Sequence, residues 1–311
     1  MGQTFVHEGW EQQLKKSEKP LWKYLISLTL RRIWDSRARA RLEDAELHKS
    51  VTKIISERGY YLTERRKWAT AGLNLNETTI LVQGTGNGWD AVTWARLRPK
   101  KIIAVDLYAF DTWREVSTYC EKNYNVSVEF VESPIEKDFG IASGSIDLVV
   151  SDAVYEHCRD LSAVMHETNR LLRPGGRVYA NYGPLWYCAS GDHFSGRDKL
   201  SSCYNHLILS QEEYRNYFES NRKGNESFQD GGRYVELDLF SKLSTEEYAN
   251  LYMETGFKIE DLWIEVSAKS AKFREAYNEK FKAMGVTLAG SINANDFLIK
   301  AHHIRLSKPS G

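Results

Sequence analysis

The stretch TTILVQGTGNG, residues Thr78 to Gly88, decides the fold of this chain. It predicts a short apolar strand, a loop with three alternating glycines, and a helix that begins near Trp89. Glycine tolerates positive φ and lets a ligand approach backbone N–H groups and the helix N-terminus. Eighteen residues after Gly88, the run KIIAVD ends on Asp106, whose carboxylate can accept both hydroxyls of a ribose. Strand, glycine loop, helix, strand and acid together predict a site for a nucleoside cofactor.

Outward from this stretch, apolar strand-like runs alternate with helical periodicity. Such alternation favours parallel βαβ units with right-handed crossovers. Two later runs predict a closing antiparallel hairpin, at 257–266 and 295–306. The predicted strands of the parallel part are 78–83, 101–106, 126–132, 146–151 and 177–183, and the predicted helices between them are 89–97, 111–123 and 160–172.

Two further segments carry a family resemblance: SIDLVVSDAVYEHCRD (145–160) and RLLRPGGRVYANYGP (170–184). Together with the glycine loop and Asp106, they resemble the class I S-adenosylmethionine-dependent methyltransferases, particularly the type 11 group. The resemblance implies an α/β fold with a Rossmann-like, seven-stranded, mostly parallel sheet whose last strand is antiparallel. It also implies four parts: an N-terminal helical segment (1–75), a cofactor-binding core (76–184), a substrate cap insertion (185–241) and a C-terminal completion of the sheet (242–311).

The N-terminal 75 residues are basic, with 15 Lys/Arg against 9 Asp/Glu. Helical spacing predicts one helix from Leu21 to Ile33 and a second amphipathic helix through Leu47, Val51, Ile54 and Ile55. We expect these helices to pack on the sheet or to close over the ligand. A basic helix lying on a membrane surface is the alternative.

The whole chain is balanced, with 42 Lys/Arg and 42 Asp/Glu, which argues against a general nucleic-acid surface. Its four cysteines are scattered, and the sequence shows no secretory signal and no apolar run of about twenty residues. A reducing cytoplasm, no membrane and no nucleic-acid partner are therefore expected. A homodimer is left open.

The resemblance assigns cofactor contacts along the strand ends. Gln83 replaces a residue that is commonly acidic in the family, and Pro134 replaces the acid that often holds adenine. The expected contacts are Gly84, Thr85 and Gly86 for the methionine part, Asp106 and Leu107 for the ribose, Ser133 and Ile135 for adenine, and Ser151 and Asp152 near the sulfonium.

The segment after the fifth core strand is rich in aromatic residues and histidine. His193 or Asp192 could take a proton from an acceptor hydroxyl, and His157, half of a Glu-His pair typical of the family, is the third catalytic candidate. The spacing C-x4-H-x9-C-x2-H of Cys188, His193, Cys203 and His206 is not a standard zinc motif, so no metal is expected. The expected acceptor-binding residues are Tyr182, Trp186, Tyr187, Tyr204 and His206.

These features predict an enzyme that transfers a methyl group from S-adenosylmethionine to a small polar acceptor in small-molecule biosynthesis, with O-methylation of a sugar or secondary metabolite expected. N-methylation of a small molecule is an alternative, although SDAVY (151–155) lacks the Asn/Asp-Pro-Pro-aromatic signature of nucleic-acid N-methylation. An NAD-dependent oxidoreductase would require the glycine pattern G-x-G-x-x-G, whereas the third glycine here comes one residue early. A non-catalytic scaffold that binds S-adenosylmethionine is the remaining alternative.

Overall fold

A computed structural model describes residues 12, 20–43, 47–222, 231–288 and 292–310. The described chain forms one eight-stranded sheet with the order β1-β7-β8-β6-β5-β2-β3-β4. β8 is antiparallel to both of its neighbours, and the other pairs are parallel. The strands are β1 Lys53–Ser56, β2 Thr79–Gln83, β3 Lys101–Asp106, β4 Val128–Glu132, β5 Ile146–Asp152, β6 Leu172–Tyr182, β7 Lys258–Val266 and β8 Ile299–Ser307.

Helices connect these strands and cover both faces of the sheet. The predicted mostly parallel α/β sheet with an antiparallel last strand is confirmed, with one strand more than the seven expected. The helices are α1 Leu21–Arg39, α2 Leu62–Ala69, α3 Trp89–Ala95, α4 Trp113–Tyr124, α5 Leu161–Leu171, α6 Asn205–Ile208, α7 Gln211–Asn221, α8 Gly232–Glu236, α9 Thr245–Glu254, α10 Ala268–Ala276 and α11 Asn278–Leu288.

The extra strand corrects a prediction. Residues 47–55 do not form the amphipathic helix expected from their spacing, because Lys53–Ser56 forms β1 and pairs in parallel with the end of β7. The adjacent β-branched residues Ile54 and Ile55 are both buried there, and β-branched side chains fit a pleated surface well. Whether these residues form a helix or a strand therefore depends on the edge of β7, which lies more than 200 residues away in sequence.

The predicted first helix is present as α1, which contacts β1. Arg31 of α1 is anchored by an ion pair with Glu64 of α2 at 2.8 Å. The helix nevertheless leaves a row of large apolar side chains exposed, namely Leu21, Trp22, Leu25, Ile26, Leu28 and Ile33.

Two apolar cores lie on opposite faces of the sheet. Strand β2 contributes to both cores, since Ile80 and Val82 pack in one core and Leu81 packs in the other. All three side chains are at most 1% exposed, as expected for a central parallel strand covered on both faces. The carboxyl ends of β2, β3, β5 and β6 consequently meet at one edge, where ligands of open α/β sheets bind.

Candidate active site

The loop between β2 and α3 carries three glycines, all in left-handed conformations, with φ of 71° at Gly84, 53° at Gly86 and 91° at Gly88. A Cβ at Gly84 would overlap a methyl group of Val154, and a Cβ at Gly88 would lie 2.9 Å from Val116. A Cβ at Gly86 would meet nothing within 4 Å. The first and third glycines therefore allow close packing, whereas Gly86 faces open space.

Asp106, at the end of β3, holds this loop in place. Its Oδ2 accepts a hydrogen bond from the Gly86 N–H at 2.7 Å, and its Oδ1 accepts one from Tyr108 N–H at 3.3 Å. Burial raises the pKa of Asp106, and these backbone donors act in the opposite direction. The Trp113 indole donates to the Gly86 carbonyl at 2.7 Å and stacks on Phe130, with ring centroids 5.0 Å apart. The loop, the carboxylate and the indole thus form one preorganised unit.

At the same edge of the sheet, a second group of polar side chains comes together. Glu156 and His157 lie in the 3₁₀ turn Tyr155–His157 that follows β5, and His193 comes from residues 185–241, called the cap segment below. One potential ligand atom from each of the three lies within 4.8 Å of the other two. We call these three residues the Glu-His-His cluster.

The hydrogen bonds of the two imidazoles differ, and that of His157 fixes its tautomer. His157 Nδ1 lies 2.9 Å from the carbonyl oxygen of Leu239, which can only accept, so Nδ1 carries the proton and Nε2 keeps its lone pair. His193 Nε2 is buried and has no hydrogen-bond partner. Burial lowers the pKa of His157 to about 3 and that of His193 to about 4, so both rings are neutral.

Glu156 completes the cluster from a fully buried position. Its Oε1 accepts the Gly183 N–H at 2.8 Å, while its Oε2 has no hydrogen-bond partner. Burial raises the pKa of Glu156 to about 8. An unpartnered buried carboxyl oxygen is costly to fold and therefore needs an explanation.

Aromatic side chains of the cap segment cover the cluster. The Tyr234 ring stacks on His157 with centroids 3.7 Å apart and an angle of 7° between the planes. Phe240 lies 5.8 Å from the His157 ring. Burial is the main cause that raises the pKa of the Tyr234 phenol, and the charges of Glu156 and Asp106 raise it as well. Tyr234 is therefore within electrostatic reach of both the cluster and the glycine-loop site.

Residues 81–180 match the family model described as a methyltransferase domain of type 11. This core is a class I S-adenosylmethionine-dependent methyltransferase domain. The match spans the glycine loop, Asp106, Glu156 and His157, and it leaves the nicotinamide alternative without support. His193 and the rest of the cap segment lie outside the matched residues.

Several solved structures are similar to this chain at low identity. An S-adenosylmethionine-dependent methyltransferase from Mesorhizobium loti is 13% identical, with 78% of this chain and 98% of that chain covered and a TM-score of 0.46. The YcgJ protein of Bacillus subtilis is 16% identical, with 78% and 96% covered and a TM-score of 0.45. A phosphoethanolamine N-methyltransferase from Haemonchus contortus is 17% identical, with 81% and 53% covered and a TM-score of 0.46. No curated protein matches the chain. Similarity this weak says nothing about the acceptor.

S-adenosylmethionine is the cofactor of this methyltransferase domain, and the residues of the glycine-loop site fit it. The face of Gly86 is open, and the buried Thr85 hydroxyl has no hydrogen-bond partner. Asp106 stands beside them with a carboxylate suited to ribose hydroxyls. These three residues would hold the cofactor.

Gln83 has a different role from the family acid it replaces. It is fully buried, and its Oε1 accepts from the Tyr155 hydroxyl at 2.8 Å while its Nε2 donates to Thr168 Oγ1 at 3.0 Å. Both ends of the amide are therefore engaged in the methyltransferase core beneath the loop.

The other expected cofactor residues are placed as follows. Ser133 donates its N–H to the Asp106 carbonyl at 2.9 Å, which ties the loop after β4 to the end of β3. Ile135 is buried in the core, Leu107 is exposed, and Ser151 Oγ donates to the Gln83 carbonyl at 3.3 Å. Ser133 is therefore tied to the end of β3 beside Asp106, whereas the Ile135 and Ser151 side chains are turned into the fold.

Asp152 takes part in a buried charge network that the sequence did not predict. Arg66 Nη1 lies 2.5 Å from Asp152 Oδ2, and Arg66 Nη2 lies 3.4 Å from Asp90 Oδ1. The Arg66 guanidinium also stacks over Trp94 at 4.0 Å. The pKa of Asp152 lies below its ordinary value. Burial acts to raise it, but the charges of Arg66 and Arg65 together outweigh burial and keep this carboxylate ionised.

Asp192 is saturated with hydrogen bonds inside the cap segment. Its oxygens accept from the N–H groups of Phe194 and Ser195 and from the hydroxyls of Ser195 and Tyr214, at 2.6–3.1 Å. His206, whose Nε2 is 2.8 Å from the Trp186 carbonyl, lies 3.7 Å from Asp192. Both carboxylate oxygens of Asp192 are therefore engaged within the cap segment.

The expected acceptor-binding aromatics divide into two groups. The hydroxyl of Tyr182 bonds to Tyr252 at 2.5 Å, and that of Tyr204 bonds to the Phe297 carbonyl at 2.5 Å, both within the core. Trp186 and Tyr187 are only partly buried. Tyr234 and Phe240 were missed because the polar stretch around them carries no periodic signal, and only their aromatic character could have drawn attention to them.

Within the part of the chain that the structure describes, no helix has the length and apolar character needed to cross a membrane.

Proposed function

We propose that this methyltransferase methylates a hydroxyl group of a small polar acceptor, such as a sugar or a secondary metabolite, held between the carboxyl edge of the sheet and the cap segment. The observation that carries the proposal is the Glu-His-His cluster. It offers two neutral imidazoles, one with a free lone pair on His157 Nε2 and one with an unpartnered Nε2 on His193, at the edge of the sheet where the cofactor would bind.

The chemistry of the acceptor explains why such a cluster favours oxygen. When bound, S-adenosylmethionine supplies a methyl carbon activated by its sulfonium. The cofactor would give this methyl group to the acceptor oxygen and keep the carbon–sulfur electron pair, and the acceptor hydroxyl would have to lose its proton. An aliphatic hydroxyl does not ionise near neutral pH, so a nearby proton acceptor accelerates the step. A neutral amine nitrogen is a stronger nucleophile than a hydroxyl oxygen and can attack before it loses a proton.

Contacts between the two sites support this arrangement. Val154, two residues before Glu156, packs against Gly84 of the cofactor loop. Gly183, at the end of β6, donates its N–H to Glu156. The cluster is thereby fixed to the same strand ends as the glycine loop, as alignment of donor and acceptor requires.

The cap segment would provide acceptor specificity. Trp186 and Phe240 pack together with ring centroids 4.9 Å apart beside the cluster, and flat apolar faces of this kind suit the carbon face of a sugar or an aromatic ring. The absence of net charge in the whole chain favours a small molecule over nucleic acid as partner. We extend the proposal to a cytoplasmic enzyme.

Transfer of a deuterated methyl group from labelled S-adenosylmethionine, followed by mass spectrometry of a metabolite extract and of a panel of matched hydroxyl and amine compounds, tests the proposal. We expect an O-methyl product. In H193Q, kcat should fall by at least about 100-fold, as expected for loss of a positioned proton acceptor. S-adenosylhomocysteine affinity should stay unchanged in that variant. Exposed His166 supplies the control H166Q, which should keep full activity. Transfer to amines alone would refute the proposal, and cofactor binding with no transfer to any compound would support the scaffold alternative instead.

A further inference from the structure

We propose that the Glu-His-His cluster is a binding site for one divalent transition-metal ion, with Glu156, His157 and His193 as its three protein ligands. The proposal concerns metal binding itself, which does not depend on the acceptor. The role of the ion in methyl transfer rests on the proposed function.

The donor set is the first argument. Two imidazoles and one carboxylate form a common three-ligand set for catalytic zinc and for non-haem iron, and such sites leave at least one position open for water or substrate. One ligand atom from each residue already lies within 4.8 Å of the others. Ligands on a tetrahedral zinc ion are roughly 3.3 Å apart, since each bond is about 2.0–2.2 Å long. Small rotations of the three side chains would close that gap.

The orientation of two of the ligands is the second, independent argument. Metal-binding histidines almost always donate their other ring N–H to a carbonyl or carboxylate, which turns the free nitrogen toward the ion. Here the backbone carbonyl of Leu239 receives the Nδ1 proton of His157. Glu156 is held in the same manner, because Gly183 N–H binds its Oε1 and leaves Oε2 free.

The unpaired atoms are the third argument. Glu156 is 2% exposed, and its Oε2 has no partner; His193 Nε2 is likewise buried without one. Buried polar atoms are nearly always hydrogen-bonded, so two such atoms in one cluster indicate a missing ligand. A metal ion would satisfy both atoms together with His157 Nε2.

The identity of the ion follows from the ligands. Imidazole suits Zn²⁺, Fe²⁺, Co²⁺ or Ni²⁺, whereas Mg²⁺ and Ca²⁺ prefer oxygen ligands. With the ion bound, the imidazoles act as ligands, and an acceptor hydroxyl in the open position would release its proton to water as it coordinates. The sequence did not predict this site because His193 lies 36 residues from His157 and no standard spacing joins them.

The test measures metal binding to the full chain without an affinity tag, stripped with a chelator and kept free of acceptor. Titration with Zn²⁺ should show one ion per chain, and Co²⁺ should produce the visible absorption of a low-symmetry site. E156Q and H193Q should each weaken Zn²⁺ binding at least about 100-fold, more than is typical for loss of a residue that only orients a ligand. Mg²⁺ should not compete.

Two matched variants make the result decisive. H166Q removes an exposed histidine and should bind Zn²⁺ like the wild type. C203S removes a thiol of the set Cys188, His193, Cys203 and His206, which forms no comparable ligand group among the described residues, and it should also bind normally. Absence of stoichiometric Zn²⁺ binding to the wild type would overturn the proposal, as would binding that survives E156Q or is lost in C203S. Circular dichroism of every variant excludes unfolding as the cause. Because no acceptor is present, failure to find an O-methyl product would leave this result unaffected.

Discussion

Replacement of Gly86 by alanine should weaken cofactor binding strongly while lowering the stability of the fold only slightly. The new Cβ meets no protein atom within 4 Å, so the cost to the free protein is that of a left-handed alanine, about 1 kcal/mol. The same methyl group would project into the space assigned to S-adenosylmethionine. Overpacking of that kind costs about 1–3 kcal/mol, which corresponds to an affinity loss of about 5- to 150-fold.

Isothermal titration with S-adenosylhomocysteine and urea unfolding with and without this ligand measure both effects. At a concentration of about 100 times the wild-type Kd, the ligand should stabilise the wild type by about 2.7 kcal/mol. If affinity falls about fifty-fold, the same concentration should contribute only about 0.6 kcal/mol in G86A.

The matched control is G140A. Gly140 also has a left-handed φ, 80°, and a Cβ added there would meet no atom within 4 Å, but this glycine lies in the loop between β4 and β5. It should lose about the same stability as G86A and keep wild-type affinity. Equal ligand affinity in the two variants would show that the open face of Gly86 is not the cofactor site.

Two further predictions concern the charge network at Arg66. The pKa of Asp90 is raised from its ordinary value near 4 to about 7, mainly by burial and next by the charge of Asp152. The contribution of Asp90 to stability is therefore complete below about pH 4 and is lost as the pH rises through about 7. Urea unfolding measured from pH 4 to 8 should therefore show that the free energy of unfolding declines less steeply with pH in D90N than in the wild type. The two slopes should differ by at most about 1.4 kcal/mol per pH unit, and equal slopes would contradict the prediction. R66M should lower the free energy of unfolding by about 3–5 kcal/mol because it breaks the buried ion pair of Asp152 and leaves this carboxylate only the more distant Arg65 as an ion-pair partner, at 3.8 Å. K101M breaks the exposed pair with Glu129 and should cost at most about 1 kcal/mol. Similar losses in the two variants would refute a buried network.

The sequence predicted the parallel half of the fold well because each element there carries its own local signal. Strand β2 is a continuous apolar run, and Asp160 caps α5 by accepting the Ala163 N–H at 2.9 Å. β1 was missed because its spacing fits a helix equally well until the edge of β7 is available for pairing. Local patterns therefore determined the elements, while tertiary pairing decided the ambiguous one.

In the candidate site, too, the residues that could be predicted are those whose positions a local pattern determines. Gly86 and Asp106 could be predicted because a short βαβ unit fixes their separation. The function of Arg66 could not, since its partner Asp152 lies 86 residues away and nothing in either segment specifies the pairing. The hydrogen bonds of Asp192 could not be predicted either, because only the folded cap segment brings its four donors to it.

The position of His193 shows how the cap segment completes the site. Its backbone is left-handed, with φ of 59°, a conformation that costs a non-glycine residue of order 1 kcal/mol or more and persists only where the surroundings enforce it. Gly231 provides part of that enforcement, because any Cβ there would overlap the His193 carbonyl, so only glycine lets these two parts of the cap segment approach so closely. Tyr234 follows three residues later and stacks on His157. The matched core thus supplies Glu156 and His157, and the cap segment accepts local strain to bring the third residue to them, which is expected if the three side chains act on one ligand.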